Sequence, residues 1–350
     1  MTDDYLWNRS GPPDPEIVRL EEMLGRLRST AAAPQPLDAA QGRPGRSRGT
    51  QRPDVPAAPV RRRFAPLLAV AAAVALMIAG TWRSTRSGES WTVAPVAGQP
   101  RIGAAGVSGR GRIAVGQALV TDSTSQARID VAAIGAVTVD PDSRVRLVAT
   151  RSGHHQLALD YGTLHAVINA PPGQFVVTTP SATATDLGCA YTLHVDEDGT
   201  GLLSVSAGWV ALTLNGRESL VPAGASSRTH PTLGPGTPWY EDADETFQDA
   251  VNEIDFSGDA GRRAAALRVV LAQAGAGHAI TLWHLIKRVD AGDRAAVVDA
   301  LADQVAMPPG ITRDAVLTLD AAALDEWWNA MGLGDAGWWR KFSAPYPSGH

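Results

Sequence analysis

The chain has 350 residues, a formal charge of −5, 44% hydrophobic and 19% charged residues. That length allows two domains with real cores, and the mild acidity offers no global basic field, so no direct nucleic-acid partner is expected. Its single cysteine, Cys189, excludes an intrachain disulfide, a CxxC redox pair and a cysteine-based zinc site.

Residues 1–32 are predicted to form a cytoplasmic amphipathic helical segment. In "DPEIVRLEEMLGRLR", Asp14 suits an N-cap and Pro15 the first helical position. Ile17, Leu20, Leu24 and Leu27 then repeat at three- and four-residue spacing as one apolar stripe. So short a helix is marginal alone in water. It therefore pairs with the upstream "DDYLWN" or docks on a partner, and those four residues are candidate partner contacts; a loosely ordered tail is the competing reading. Residues 33–63 hold six prolines, three glycines and seven arginines, the composition of a disordered linker.

Residues 64–82, "FAPLLAVAAAVALMIAGTW", carry no charge over nineteen positions. About 20 mostly apolar residues span a hydrocarbon core, so this reads as a single transmembrane helix. A buried helix of a globular protein would show a polar face. A cleaved signal peptide would not follow sixty-three residues of chain. Arg46, Arg48, Arg52 and Arg61 to Arg63 precede the span, whereas Arg83 and Arg86 follow it. The positive-inside bias then places the N-terminus in the cytoplasm and the C-terminal part outside. Residues 83–100 read as a linker.

From 101 to 232, short β-branched and apolar runs recur between turn signals, the texture of an all-β sandwich, jelly roll or rolled sheet. "DEDG" (196–199) and "NG" (215–216) are hairpin turns. Val205, Ala207, Trp209 and Ala211 are expected on one strand face. The order "GQALVTDSTSQARIDV", "TVDPDSRVRLV", "LALDYGTLHAVI", "FVVTTPSATATDLGCAYTLHVDEDG", "LLSVSAGWVAL" resembles a FecR domain over roughly 105–225. Where many members carry Arg-Gly-Thr, this chain has Leu187, Gly188 and Cys189. The resemblance implies an inner-membrane regulator of an extracytoplasmic-function sigma factor. Its cytoplasmic end would hold or assist the sigma factor, and its periplasmic end would sense an outer-membrane or periplasmic protein.

Residues 233–258 read as a second linker and 259–345 as a small helical bundle. Leu267, Val270, Leu271 and Ala274 share one face, as do Leu282, Leu285, Ile286 and Val289, then Val298, Leu301 and Val305, and "DAAALDEWWNAMGL" supplies a fourth helix. "TLWHL…WW…LG…WW" is similar to tails that follow FecR domains.

Residue patterns for chemistry are thin. "SGRGRIAVG" offers Gly109, Gly111 and Ala114, but strand rather than helix is expected after it. His154 and His155 sit at an expected turn near His165 and His194, yet adjacent strand residues point to opposite faces, which opposes joint metal ligation. Asp196, Glu197 and Asp198 read as a solvated turn, and Cys189 as a buried small residue with a reactive thiol as the alternative. His284 has no histidine or glutamate four residues on. Adjacent tryptophans on a helix do not both face one core. Trp327 and Trp328, with Trp338 and Trp339, therefore mark either packing or a partner or sugar surface, with Trp328 and Trp339 as the candidate contacts.

The expected molecule is thus multidomain, mainly β plus α: a single-pass inner-membrane protein with its N-terminus cytoplasmic and its C-terminus periplasmic. It is non-catalytic, without cofactor or metal. Sigma-factor regulation is the first reading, and a periplasmic envelope scaffold binding glycan or protein is the alternative.

Overall fold

The computed structural model describes residues 90–275 and 277–343. The stripe of Ile17, Leu20, Leu24 and Leu27, the 33–63 linker and the 64–82 span lie outside the described residues. Among the described residues no helix is long and apolar enough to cross a membrane.

The chain runs first through β1 (Ser90–Ala97), β2 (Arg101–Ile102), β3 (Ala105–Gly106), β4 (Gly111–Ala114), β5 (Ala118–Val120) and β6 (Gln126–Val131). Then come β7 (Gly135–Val139), β8 (Arg144–Arg151), β9 (His154–Ile168), β10 (Phe175–Thr178), β11 (Thr183–Asp186) and β12 (Ala190–Val195). Next follow β13 (Gly201–Ala207), β14 (Trp209–Leu214), β15 (Arg217–Pro222), β16 (Ala225–His230), β17 (Gly234–Pro235) and β18 (Trp239–Tyr240). The 83–100 stretch, expected as linker, thus contains β1, an inner strand between β4 and β6.

Two sheets enclose one core. The first runs β4-β1-β6-β7-β9-β12-β13-β16, with β17 and β18 beyond. The second runs β3-β2-β5-β8-β9-β10-β11-β14-β15. Every pairing is antiparallel except β9 with β10. Period-two patterning drives this arrangement. In β6, Ala127, Ile129 and Val131 are buried while Arg128 and Asp130 are exposed. Val145 and Leu147 of β8 meet Ile129, Leu164 and Val205 in the shared core.

The fifteen-residue β9 belongs to both sheets. Its first half pairs with β8 and β10, and its second half pairs with β7 and β12. The change of sheet falls at Gly162, whose φ is +88°. A second crossing falls at Gly208, φ +71°, between β13 in one sheet and β14 in the other. This break ends the single face expected for Val205, Ala207, Trp209 and Ala211: Val205 faces the inter-sheet core, Ala207 is exposed, and Ala211 faces away from that core.

Among the described residues seven helices follow: α1 (Glu245–Phe256), α2 (Ala260–Gln273), α3 (Ala279–Ile286), α4 (Arg294–Gln304), α5 (Arg313–Leu317), α6 (Ala321–Ala330) and α7 (Ala336–Ser343). Four were expected, and α1 occupies the stretch read as linker. Asp259, Thr312 and Asp320 cap α2, α5 and α6 by accepting from the backbone N–H three residues on. The helices do not form a bundle apart. Their core takes in Leu187, Ala211, Leu220 and Trp239 from the β region. Burial of Val210, Ala211 and Leu212 in succession follows, because β14 is covered on both faces.

Candidate functional site

The polar centre of the described residues lies where α3 meets β15. Asn215 and Gly216, with φ of +50° and +80°, make the expected turn between β14 and β15. β15 pairs with β14 alone, which leaves one side of its backbone to be satisfied. α3 and the turn just past it supply the partners. The Leu220 N–H donates to His284 Nε2 at 3.2 Å, and Arg288 Nη2 donates to the Glu218 carbonyl at 2.9 Å. A histidine and an arginine four residues apart thus take the place of a neighbouring strand.

Each group is fixed from behind. His284 Nδ1 contacts the Ile280 carbonyl at 2.8 Å, so the proton sits on Nδ1 and Nε2 is free to accept. Complete burial, reinforced by the charge of Arg288, pushes the imidazole well below its ordinary range and keeps it neutral. Arg288 Nη2 also reaches Ser219 Oγ at 2.7 Å, and its Nη1 reaches Thr237 Oγ1 at 2.7 Å and Asp255 Oδ1 at 3.3 Å. Burial lowers this guanidinium to about 10, against the opposing pull of Asp255. The Asp255 carboxylate has no exposed side-chain surface. It accepts from Arg217 Nη2 at 2.5 Å and from the N–H and hydroxyl of Thr237 at 2.5 and 3.1 Å.

Beside this network a cavity of about 440 Å³ opens between the Asn215–Gly216 turn, Ile254 and Asp255 of α1, and α3. Lys287 stands over the Trp283 ring at 4.7 Å and faces Glu218 at 3.4 Å. Arg340 reaches Glu218 at 3.6 Å and pairs with Asp325. Both ring nitrogens of His284 are engaged, so this imidazole holds the β15 edge in place.

Trp328 and Trp339, expected on a partner surface, are 0% and 3% exposed. α6 has packed neighbours on two sides. Trp328 meets Trp209 of the sheet at 6.1 Å, Trp283 at 4.9 Å and Trp339 at 6.1 Å, while Trp327 donates to the Val305 carbonyl. Of the four, Trp338 is the exposed one.

The other patterns stay apart. His154 and His155 open β9 rather than a turn and are both buried. His165 pairs with Asp140 at 2.7 Å and His194 with Asp196 at 3.1 Å. No metal-ligating cluster exists among the described residues. Asp196 and Asp198 accept from Thr200 within their turn. Gly111 and Ala114 lie in β4, with no helix after it.

Cys189 is buried, and its thiol donates to Asp186 Oδ2 at 2.7 Å. Burial, with the adjacent Asp186 charge, pushes that thiol far up, which makes it unreactive. Native full-length protein is therefore expected to resist iodoacetamide for a period that labels Cys189 fully in urea, as read by mass spectrometry. Equal labelling in both states would contradict the burial.

Asp186 itself is raised from 3.8 to about 6, chiefly by burial, against the Cys189 and Gly188 hydrogen bonds. A raised carboxyl favours the fold fully below pH 3.8, and that contribution is lost as pH rises through 6, a change of about 3 kcal/mol. Asp186→Asn should remove it. Urea unfolding at pH 4 and pH 7 would then show a stability difference that shifts by about 2 kcal/mol between wild type and variant, most of the full change. Parallel pH dependence would exclude an Asp186 contribution.

A protein of two antiparallel-rich sheets around one core, with helices sealing an edge strand and the outer face of one sheet, is the class this geometry defines. Residues 117–211 match the family model described as FecR protein. Two crystal structures of a candidate anti-sigma factor from Parabacteroides distasonis ATCC 8503, at 1.65 and 2.50 Å resolution, align with 39% of this chain. They share 14% and 15% identity at a TM-score of 0.31, and the chain covers 64% of their length. No curated protein matches the chain. Leu187, where many FecR domains carry arginine, is 6% exposed and lies in the core shared with the helices. An arginine there would have to be buried against that apolar cluster.

Proposed function

We propose that the chain is a membrane-anchored FecR-domain regulator that passes an external signal to an extracytoplasmic-function sigma factor without a catalytic step. The FecR match over residues 117–211 carries this reading. The uncharged 64–82 stretch with its arginine-rich N-terminal flank supports an N-in, C-out inner-membrane topology. On that topology the FecR domain meets an outer-membrane or periplasmic protein. The Ile17, Leu20, Leu24 and Leu27 stripe contacts the sigma factor, as an amphipathic helix contacts a groove. The core shared by helices and sheet lets a binding event on either bear on the other.

The test uses the full-length chain in cells. Pairwise interaction with the organism's sigma factors should single out one of them. Exchanging Leu20 and Leu24 for aspartate should break that pair and change transcription from its promoters, with protein levels unchanged. No interacting sigma factor, together with unchanged sigma-dependent transcription on deletion of the gene, would overturn the proposal.

A further inference from the structure

The cavity beside the Asn215–Gly216 turn shares His284, Arg288 and Asp255 with the edge-sealing network but is not used by the sigma-factor reading, and its lining is chemically lopsided. Arg217, Lys287 and Arg288 contribute three positive charges against the two carboxylates of Glu218 and Asp255. Asp255 is consumed by Arg217 and Arg288. Lys287, with three donors, has Glu218 at 3.4 Å, and Arg340 draws on the same carboxylate at 3.6 Å. Arg217 commits one terminal nitrogen to Asp255, and its side chain stays 26% exposed. Two cationic side chains on one cavity wall thus keep donors that the protein's carboxylates do not use up.

We propose that this cavity binds a small monocarboxylic acid, its carboxylate held by Lys287 and Arg217. One net positive charge in the lining suits one negative charge in the ligand; a phosphate dianion would leave the cavity negative beside Glu218. The volume of about 440 Å³ sits at the small end of ligand pockets. Ile254 and Trp283 add apolar wall, which suits a short hydrocarbon tail behind the carboxylate. Burial pulls the Lys287 ammonium below the ordinary lysine range, against the pull of Glu218, so a second carboxylate would offset part of that desolvation. The site lies at the contact between α3 and β15, so an occupant would tighten the junction that joins helices to the FecR domain.

Isothermal titration of the full-length protein with butyrate, butyramide and inorganic phosphate at pH 7.5 decides the matter. Saturable butyrate binding is expected, with butyramide and phosphate each at least about tenfold weaker, since a hydrogen bond to a charged group is worth that factor. Lys287→Gln should weaken butyrate by about tenfold or more, and Glu218→Gln should tighten it by removing the competing carboxylate. Unfolding curves of both variants report whether the fold is intact, and Glu218→Gln keeps the test decisive if Lys287→Gln destabilises the chain. Absent saturation, phosphate bound as tightly as butyrate, or affinity unmoved by Glu218→Gln would each overturn the proposal. None of these outcomes depends on a sigma factor.

Discussion

Gly162→Ala is expected to destabilise the protein by about 3–5 kcal/mol, among the largest effects of any single methyl group. Gly162 has φ of +88°, where an L side chain costs roughly 1–2 kcal/mol. A Cβ there would also lie 2.2 Å from Ser143 Oγ and 2.5 Å from Ser143 Cα. Ser143 cannot step aside easily. It is fully buried, its N–H donates to Thr121 Oγ1, and its hydroxyl accepts from the Thr163 N–H at 2.9 Å. Overpacking against such a wall adds about 1–3 kcal/mol. The residue also marks the point where β9 passes from one sheet to the other, so relief would require the sheets to part. Gly216→Ala is the control. Its φ of +80° is similar, but no atom lies within 4 Å of the added Cβ, so a loss near 1 kcal/mol is expected. Urea midpoints of the two variants should differ clearly; equal losses would show that backbone strain alone, and not the Ser143 contact, sets the cost.

Local chemistry explains what could be read without coordinates. The hairpin turn at Asn215–Gly216, the alternation of Ala127, Ile129 and Val131, and the helical faces around Leu267 and Leu282 follow from periods of two and 3.6. Sheet membership is not local. Nothing near Gly162 or Gly208 in the sequence announces a change of sheet, because that depends on strands paired from far along the chain. α1 was legible: Phe247, Ala250, Val251 and Ile254 repeat at helical spacing, but the acidic, proline-led approach to them suggested a linker. The tryptophan pairs left packing and a partner surface both open, for a physical reason. The face argument assumes one core per helix, and α6 has packed partners on two sides, Trp209 from the sheet among them. The His284–Arg288 pair was visible as residues four apart on a helix. Its role was not, since both answer the backbone of a strand more than sixty residues earlier.

Asp255→Ala should cost about 3–5 kcal/mol and loosen the helices from the β sheets. The aspartate stands in the last turn of α1, where the helix dipole disfavours a negative charge by roughly 0.3–1 kcal/mol. It is tolerated because Arg217 and Arg288 converge on it from β15 and from just past α3, with Thr237 closing the remaining side. Removal of the carboxylate leaves Arg288, whose side chain is 7% exposed, charged and without its ion pair. That uncompensated charge, rather than the lost attraction, dominates the cost. The distinction can be measured. If it holds, the double substitution Asp255→Leu with Arg288→Met should be less damaging than Asp255→Ala alone, because no buried charge is stranded, even though two more hydrogen bonds to the β15 edge are gone. A strictly additive double mutant would instead mean that Asp255 and Arg288 contribute independently, with no coupling between them. Urea unfolding followed by tryptophan fluorescence reads both cases. Trp283 and Trp328 lie in the helical core beside this junction, so their emission should shift before the far-ultraviolet β signal if the helices detach first.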